Sequence, residues 1–445
     1  MARPTGEQVE LMKILLVNPP NCGKSIPEEE YGIDTIKMIF RGEPLALEVI
    51  AGNLDGHEVA ITDLKATPDA LEEDLGRFQP DVVGFTAVTC EANTVVRLAR
   101  EIKMHINTVV VAGGHHASCD PAFFDRGSID YIIVGLGKLS FRQLIDTLEN
   151  PATATHIPGV IKTSPVGTLN QVRRSYSFKD AVDENPPRYD LVKAHRNQYV
   201  MSGVGGKIGF VVSAYGCTHR CAFCSIPAMT GGKYITHQPE SVLRDMKLLE
   251  DVPMIRLVDA NTFGDPEMAR QLGHKIIESG LKKAIVADVR SDTVTRHPNL
   301  FKLWKEAGLS TAVIGFEEIT DAGLKRLNKR NSIATNIEAI GILKELGIRI
   351  IGDFIVSPDY SEADFEALDR FVSSHAIDLP IPSILTPLPG TPLHHKMAGK
   401  ITVHDLDYYT FTNAVFPTRM EPKIFYKAYA SLLEGFLKHV TQEKP

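Results

Sequence analysis

The most restrictive feature of this 445-residue chain is its rhythm, which comes in two separate series. In the first, residues 13–20, 58–64, 81–88, 108–114 and 131–137 read as strands. Each is a short, β-branched or apolar run bounded by Gly, Pro or Asp. Residues 44–54, 68–78, 91–105 and 139–148 carry helical spacing. Strands that alternate with helices pair in parallel, because a parallel pair needs a crossover too long for a hairpin. The series predicts an open, doubly wound (Rossmann-like) α/β domain over residues 1–150. Such sheets bind ligands at the carboxyl ends of their strands. Here those ends are residues 18–24, 86–90, 113–118 and 135–137.

A second series follows. Strands are expected at 209–216, 254–260, 283–290, 311–317, 349–356 and 382–388, with helices at 239–249, 266–279, 298–307, 321–329, 335–346 and 361–374. A closed eight-unit barrel takes about 250 residues, and residues 207–395 fall short of that. They predict a partial (β/α)6 TIM-type barrel. Between the series, residues 151–206 hold Pro, Gly, Ser and charge with weak periodicity, and read as a linker ending in a flexible 203–206 stretch. Residues 396–445 read as a helical extension. Its aromatic residues, Tyr408 to Tyr429, are expected to cover the open side of the barrel.

Composition narrows the class. Apolar residues are 43% and charged residues 23%, as in an ordinary globular protein. Lys and Arg total 48 against 55 Asp and Glu, a net charge of -7, so no basic excess points to nucleic acid. No apolar run reaches the length of a membrane span. The polar start of the chain lacks signal-peptide features, which predicts a cytoplasmic address.

Of six cysteines, Cys22, Cys90 and Cys119 are scattered, whereas Cys217, Cys221 and Cys224 stand within eight residues. A disulfide framework would spread them through a short secreted chain. The triplet reads as a metal site in a reducing compartment. It follows a predicted strand directly, in the order Cys-x3-Cys-x2-Cys. Three thiolates can ligate three irons of a cubane cluster and leave the fourth open, whereas structural zinc wants four closed ligands. The alternative is zinc completed by His219 or a distant histidine.

This spacing, with Phe223 before the last cysteine, resembles the radical SAM superfamily. The resemblance implies a 4Fe-4S cluster on Cys217, Cys221 and Cys224 whose open iron takes S-adenosyl-L-methionine. It also implies polar residues at barrel strand ends that hold that molecule. Asp259, Arg290 and Glu317, and more weakly Asp353, stand at such positions beside Phe223.

The order of the two series resembles the cobalamin-binding radical SAM enzymes over nearly the whole chain. The likeness rests on Val17-Asn18-Pro19-Pro20, Pro44-Leu45-Ala46-Leu47, Gly56-His57-Glu58-Val59, Gly113-Gly114-His115-His116 and the 386–392 loop. It implies cobalamin contacts from Asn18, Thr86, Thr89, Gly113, Gly114, His116, Gly135 and Gly137. Two features depart from the family. Asp-x-His-x-x-Gly is absent, so no histidine is evident to ligate cobalt from below. The turn at Val134-Gly135-Leu136-Gly137-Lys138 lacks two carboxylates common in relatives.

The resemblance implies a cobalamin-dependent methyltransferase that methylates an unactivated carbon by way of methylcobalamin and a 5′-deoxyadenosyl radical. An electron donor such as flavodoxin or ferredoxin follows from that chemistry. The 386–392 loop and the 416–429 tail look most like the hopanoid C-3 methylase branch, which implies a polycyclic lipid substrate. Two other readings stay open. One is a cobalamin-binding cyclase or rearranging enzyme without methyl transfer. The other is a methylthiotransferase acting on tRNA or protein, which should carry three more clustered cysteines in its N-terminal domain, where Cys22, Cys90 and Cys119 are widely spaced though each follows a strand.

Overall fold

The computed structural model describes residues 11–34, 40–150, 156–164, 169, 172–181, 185–201 and 204–441. Parts of the predicted linker, including residue 203 of the 203–206 stretch, lie outside the described residues.

The first series forms one sheet. Its strands are β1 (Lys13–Asn18), β2 (Glu58–Asp63), β3 (Val82–Thr86), β4 (Val109–Gly113) and β5 (Tyr131–Ile133), in the order β2-β1-β3-β4-β5 and all parallel. The order reverses at β1 and β3, the switch point where doubly wound sheets bind ligands. The sheet is buried on both faces, which is why its strands read as continuous apolar runs. Successive side chains go to opposite sides. Ile14 and Leu16 pack with Leu47, Ala51 and Phe141 of helices Leu45–Gly52 and Lys138–Glu149. Leu15 and Val17 pack with Val95, Leu98 and Ile102 of helix Ala92–His105.

The region read as a linker holds several short elements, and one of them joins the first sheet. Val160–Lys162, here β6, pairs antiparallel with β5 and extends the sheet by an edge strand. Three residues are too few to show alternation. Tyr189, Val192 and Tyr199, also from the linker, join the core of the second domain.

The second series forms six parallel strands in simple sequence order: β7 (Ile208–Val211), β8 (Met254–Leu257), β9 (Ala284–Val289), β10 (Leu309–Glu317), β11 (Arg349–Val356) and β12 (Leu379–Ile384). Among the described residues β7 and β12 do not pair, so the barrel is open. Outward residues such as Ile255, Ile285, Ile314 and Phe354 pack under the helices. Inward residues Met254, Val286, Val313, Ile351 and Leu379 close the floor with Met201 and Val204.

Two strand expectations shift. The strand predicted over 209–216 breaks after Val211, because Asp259 accepts the amide protons of Ser213 and Ala214 at 2.7 and 2.9 Å. Ala214–Gly216 then pairs antiparallel with Tyr234–Thr236. The last strand starts at Leu379, not 382. Pro380 and Pro382 are tolerated because β12 is an edge strand with one unpaired row of amides.

The tail divides its aromatic residues between the two halves. Residues 401–421 are mostly irregular rather than helical, and Leu406, Tyr409, Val415 and Phe416 enter the core of the first domain. Helix Pro422–Thr441 sends Phe425, Tyr426 and Tyr429 into the barrel's outer core. The Tyr429 hydroxyl donates to the Pro382 carbonyl at 2.9 Å, so the helix lies against the open edge. Asn413 takes the Ile26 amide at 2.8 Å, and Lys24 pairs with Asp405 and Asp407. The tail thereby ties the loop after β1 to the barrel.

Candidate active site

Cys217, Cys221 and Cys224 lie in the loop directly after Gly216. Gly216 is held at φ 80°, and a methyl there would overlap the Lys233 carbonyl, so the chain turns sharply out of the hairpin. The loop is pinned from two sides. Ala222 donates to the Leu327 carbonyl and accepts from the Leu393 amide, both at 2.9 Å. Asn328 donates to the Arg220 carbonyl at 2.7 Å.

All three thiols are free. Burial pushes Cys221 up and Cys224 up to about 12, with Lys329 acting in the opposite direction on both. A bound metal is what would turn such thiols into thiolates. Three sulfurs on one zinc would stand about 3.8 Å apart, given Zn–S near 2.3 Å. Among the described residues these sulfurs do not gather within 4.8 Å, with or without His219. The donor set fits a cluster in which each thiolate takes its own iron.

Above the apolar barrel floor the inward side chains become charged. Arg256 of β8 pairs with Asp288 of β9. Glu317 ends β10 at φ 66°, after an irregularity in register, and accepts from Lys329 at 2.7 Å. A bulge of this kind re-aims a side chain. Arg290 donates to Asp292 at 2.8 Å and to the Lys329 carbonyl at 3.2 Å. Lys329, Arg290 and Glu317 all act electrostatically on Cys221, which places this group beside the cysteine loop.

The other expected barrel residues sit differently. Asp259 is buried and its oxygens are occupied by Ser213 and Ala214. It braces the wall; its neighbours Val258 and Ala260 line the cavity. Phe223 is half-buried within the cysteine loop. Asp353 groups with Asp288 and Arg256 inside the barrel. Burial and the neighbouring Glu317 and Asp288 push it up to about 8.

A cavity of about 260 Å³ lies between the domains. One wall is the carboxyl edge of the first sheet: Thr86, Gly113, Gly114, Gly135 and Gly137. It continues between Leu47 and Ile50 of one helix and Phe141 of another. The opposite wall is Tyr215 and Gly216, just before Cys217, with Ile226 and Met229, just after Cys224. Gly114, Gly135 and Gly137 have φ of 95°, 95° and 78°. A methyl on Gly135 would overlap the Tyr176 hydroxyl, which itself accepts the Leu136 amide at 2.9 Å. These turns bring bare backbone to the cavity, and a large planar ligand can approach it closely.

Three expected cobalamin residues are not among the cavity's lining. Asn18 donates to Asp63 at 2.8 Å and is buried. Thr89 is buried at the start of a short turn. His116 is fully buried, edge-on to Phe123 and Phe124 at 5.0 and 5.5 Å, and burial lowers it to about 4. Its neighbour His115 lines the cavity instead, 3.5 Å from the Ser225 hydroxyl. Adjacent residues at a helix start face different ways, so the signal for His115 was the one-residue offset. Arg256, Asp288 and Lys329 were also missed as site residues. The signal for Asp288 was its strand parity with Arg290.

Cys22 donates to the Cys90 carbonyl at 3.4 Å, while Cys119 lies at the Ser225 carbonyl, 4.0 Å away. Cys119 is thus apart, against the cysteine loop, with its own carbonyl packed on Gly390.

Residues 211–372 match the Radical SAM superfamily, and residues 33–145 match the B12 binding domain. The hopanoid C-3 methylase of Methylococcus capsulatus is 29% identical over 398 residues, 88% of this chain and 75% of that protein. The anaerobic magnesium-protoporphyrin IX monomethyl ester cyclase of Cereibacter sphaeroides is 26% identical over 87% of this chain and 64% of that protein. The structure of the radical S-adenosylmethionine methyltransferase TsrM from Kitasatospora setae, with cobalamin and a [4Fe-4S] cluster bound, superposes with a TM-score of 0.71. It covers 96% of this chain and 91% of that one at 17% identity, and so speaks for the fold. No described helix is long and apolar enough to cross a membrane.

Proposed function

Because this chain is a cobalamin-binding radical SAM enzyme, we propose that it methylates an unactivated carbon of a small molecule, with a hopanoid-type polycyclic lipid as the substrate class. The observation that carries this reading is the shared cavity. Glycine turns of the cobalamin-binding sheet form one wall, and the residues on either side of the cysteine loop form the other. A substrate between them is positioned toward both cofactors at once.

When bound, the cluster supplies the electron that cleaves S-adenosyl-L-methionine, and the corrin supplies a carrier for the methyl group. Cys217, Cys221 and Cys224 would hold the cluster. Phe223, Arg290 and the Glu317–Lys329 pair would hold S-adenosyl-L-methionine, while Asp259 keeps the Ser213–Ala214 turn in place. Thr86, Gly113, Gly114, Gly135 and Gly137 would lie against cobalamin. His115 is uncharged at neutral pH, since burial lowers it, and offers a hydrogen bond inside the cavity without adding charge. The apolar residues Leu47, Ile50, Val258 and Met229 exclude water from the space the lipid would fill. The external reductant would be a flavodoxin or ferredoxin in the cytoplasm.

Likeness to the cyclase of Cereibacter sphaeroides supports a second reading, ring closure without methyl transfer. The test is anaerobic reconstitution followed by measurement of iron, sulfide and cobalamin per chain. The proposal expects about four irons and one cobalamin together. Cobalamin failing to co-purify with a cluster-loaded chain would contradict it.

A further inference from the structure

We propose that the charged layer inside the barrel, formed by Arg256, Asp288 and Asp353, is a substrate subsite that receives a hydrogen-bond-donating group, a hydroxyl or a protonated amine. The inference rests on the methyltransferase reading and adds a polar end to the substrate.

Strand parity places the layer. Met254, Val286 and Ile351 belong to the barrel floor. Arg256, Asp288 and Asp353 stand two residues further along the same strands, so they share the inner face. Another two residues along the chain, just past the end of β8, Val258 lines the cavity between the domains. The layer is therefore one step, about 6.6 Å along a strand, below the site already described.

Packed barrels fill such positions with branched aliphatic side chains. Here the layer lies deep in the protein, and burial is the main influence raising both acids, Asp288 to about 6 and Asp353 to about 8. Yet Asp288 keeps 25% of its side-chain surface accessible and Asp353 is also partly accessible. Deep groups with accessible surface line a hollow, not a packed core. The floor beneath the hollow is closed by Met201 and Val204.

The donors and acceptors in the layer do not balance. Arg256 is satisfied by Asp288 and by the Leu257 carbonyl at 3.1 Å. Glu317 is satisfied by Lys329. Asp353 has no hydrogen-bond or ion-pair partner among the described residues. An interior carboxyl without a partner costs stability, and a ligand group that donates to it would remove that cost. An anionic group would find no free cation there among the described residues, since Arg256 already pairs with Asp288, Lys329 with Glu317 and Arg290 with Asp292. The geometry selects a donor and rejects an acid.

The test uses the reconstituted holoenzyme and four fragments of one shape: cyclohexylamine, cyclohexanol, methylcyclohexane and cyclohexanecarboxylate. Binding is read by equilibrium dialysis for the wild type, Asp353→Leu and Asp353→Asn. Iron content and Tm show that each variant is folded and loaded. The amine, the alcohol or both should bind the wild type roughly tenfold more tightly than the other two fragments. Asp353→Leu should abolish that preference. Asp353→Asn, which keeps the shape, should weaken the amine and spare the alcohol, which identifies the class of donor. Equal binding of all four fragments, preference for the carboxylate, or an unchanged preference in both variants would overturn the subsite. Formation of S-adenosylhomocysteine by the wild type, assayed separately, reports on methyl transfer and is independent of the fragment result.

Discussion

At the strand ends of the N-terminal sheet, the residues that shape the cavity are glycines. Inside the barrel, above its apolar floor, the inward side chains are acids and arginines. Apart from the antiparallel edge strand β6, both sheets are parallel and come from the same alternation of strand and helix. The first presents bare backbone to the cavity, at Gly114, Gly135 and Gly137. The second presents Arg256, Asp288, Arg290, Glu317 and Asp353 from its inner face. A doubly wound sheet is packed on both faces, so only its edge is free for binding. An open barrel has an interior as well, and side chains that point inward can work there. The two halves should therefore fail in different ways when altered.

The largest effect should come from the cysteine loop. Cys221→Ala is expected to lose the cluster and all cleavage of S-adenosyl-L-methionine, while cobalamin still binds; iron analysis and the visible spectrum check both. Gly135→Val should do the reverse. It forces a β-branched residue to φ 95° and into the Tyr176 hydroxyl, so cobalamin retention should fall at least tenfold with iron content unchanged. Loss of both cofactors in either variant would mean that the two sites are not separately built. Lys329→Met strips Glu317 of its buried partner, a change of the kind that costs about 3–5 kcal/mol. It should weaken S-adenosyl-L-methionine binding in a titration and lower the Tm.

A smaller effect is expected where the halves meet. Glu43 pairs with Arg196, and Glu48 is buried beside them. Burial pushes Glu43 up to about 7 and Glu48 well above its usual range. Both carboxyls hold protons in the folded state that the unfolded chain releases near pH 4.5. Their contribution is full below about pH 4.5 and is lost as pH rises, through about 7 for Glu43 and higher for Glu48. Melting curves should show Tm falling over that interval. Glu48→Gln, which cannot ionise, should flatten the fall and gain a few degrees at pH 8. A Tm that rises over the same interval would contradict this. The smallest effect belongs to His116→Phe. His116 already packs on two phenylalanines, so the spectrum of bound cobalamin should not change. A shifted spectrum would identify His116 as a cobalt ligand.

The same contrast explains what the sequence reveals. Long apolar runs marked nine of the twelve strands in the two main sheets closely, because a buried parallel strand has no other composition. Val160–Lys162 escaped because three residues carry no period. The last barrel strand was displaced by its own prolines, which only its edge position permits. At the site, the cysteine spacing and the strand-end glycines are local and legible. The roles of His115 and His116 depend on how a helix of five residues is turned, which only packing against Phe123 and Phe124 decides. Asp259 reads like a ligand residue, and in the fold its carboxylate accepts two backbone amides, which no local pattern announces. The charged layer of the barrel is assembled across three strands, and no single segment announces it.

If one cavity joins two cofactors for methyl transfer to carbon, both uses of S-adenosyl-L-methionine must appear in one reaction. The most direct test supplies the reduced holoenzyme with S-adenosyl-L-methionine carrying a CD3 group and a polycyclic triterpenoid, and follows every product by mass spectrometry. The account predicts S-adenosylhomocysteine and 5′-deoxyadenosine together, and a lipid carrying the labelled methyl. Formation of 5′-deoxyadenosine and labelled methionine alone, with no S-adenosylhomocysteine and no label in any lipid, would contradict methyl transfer and leave the cyclase reading in its place.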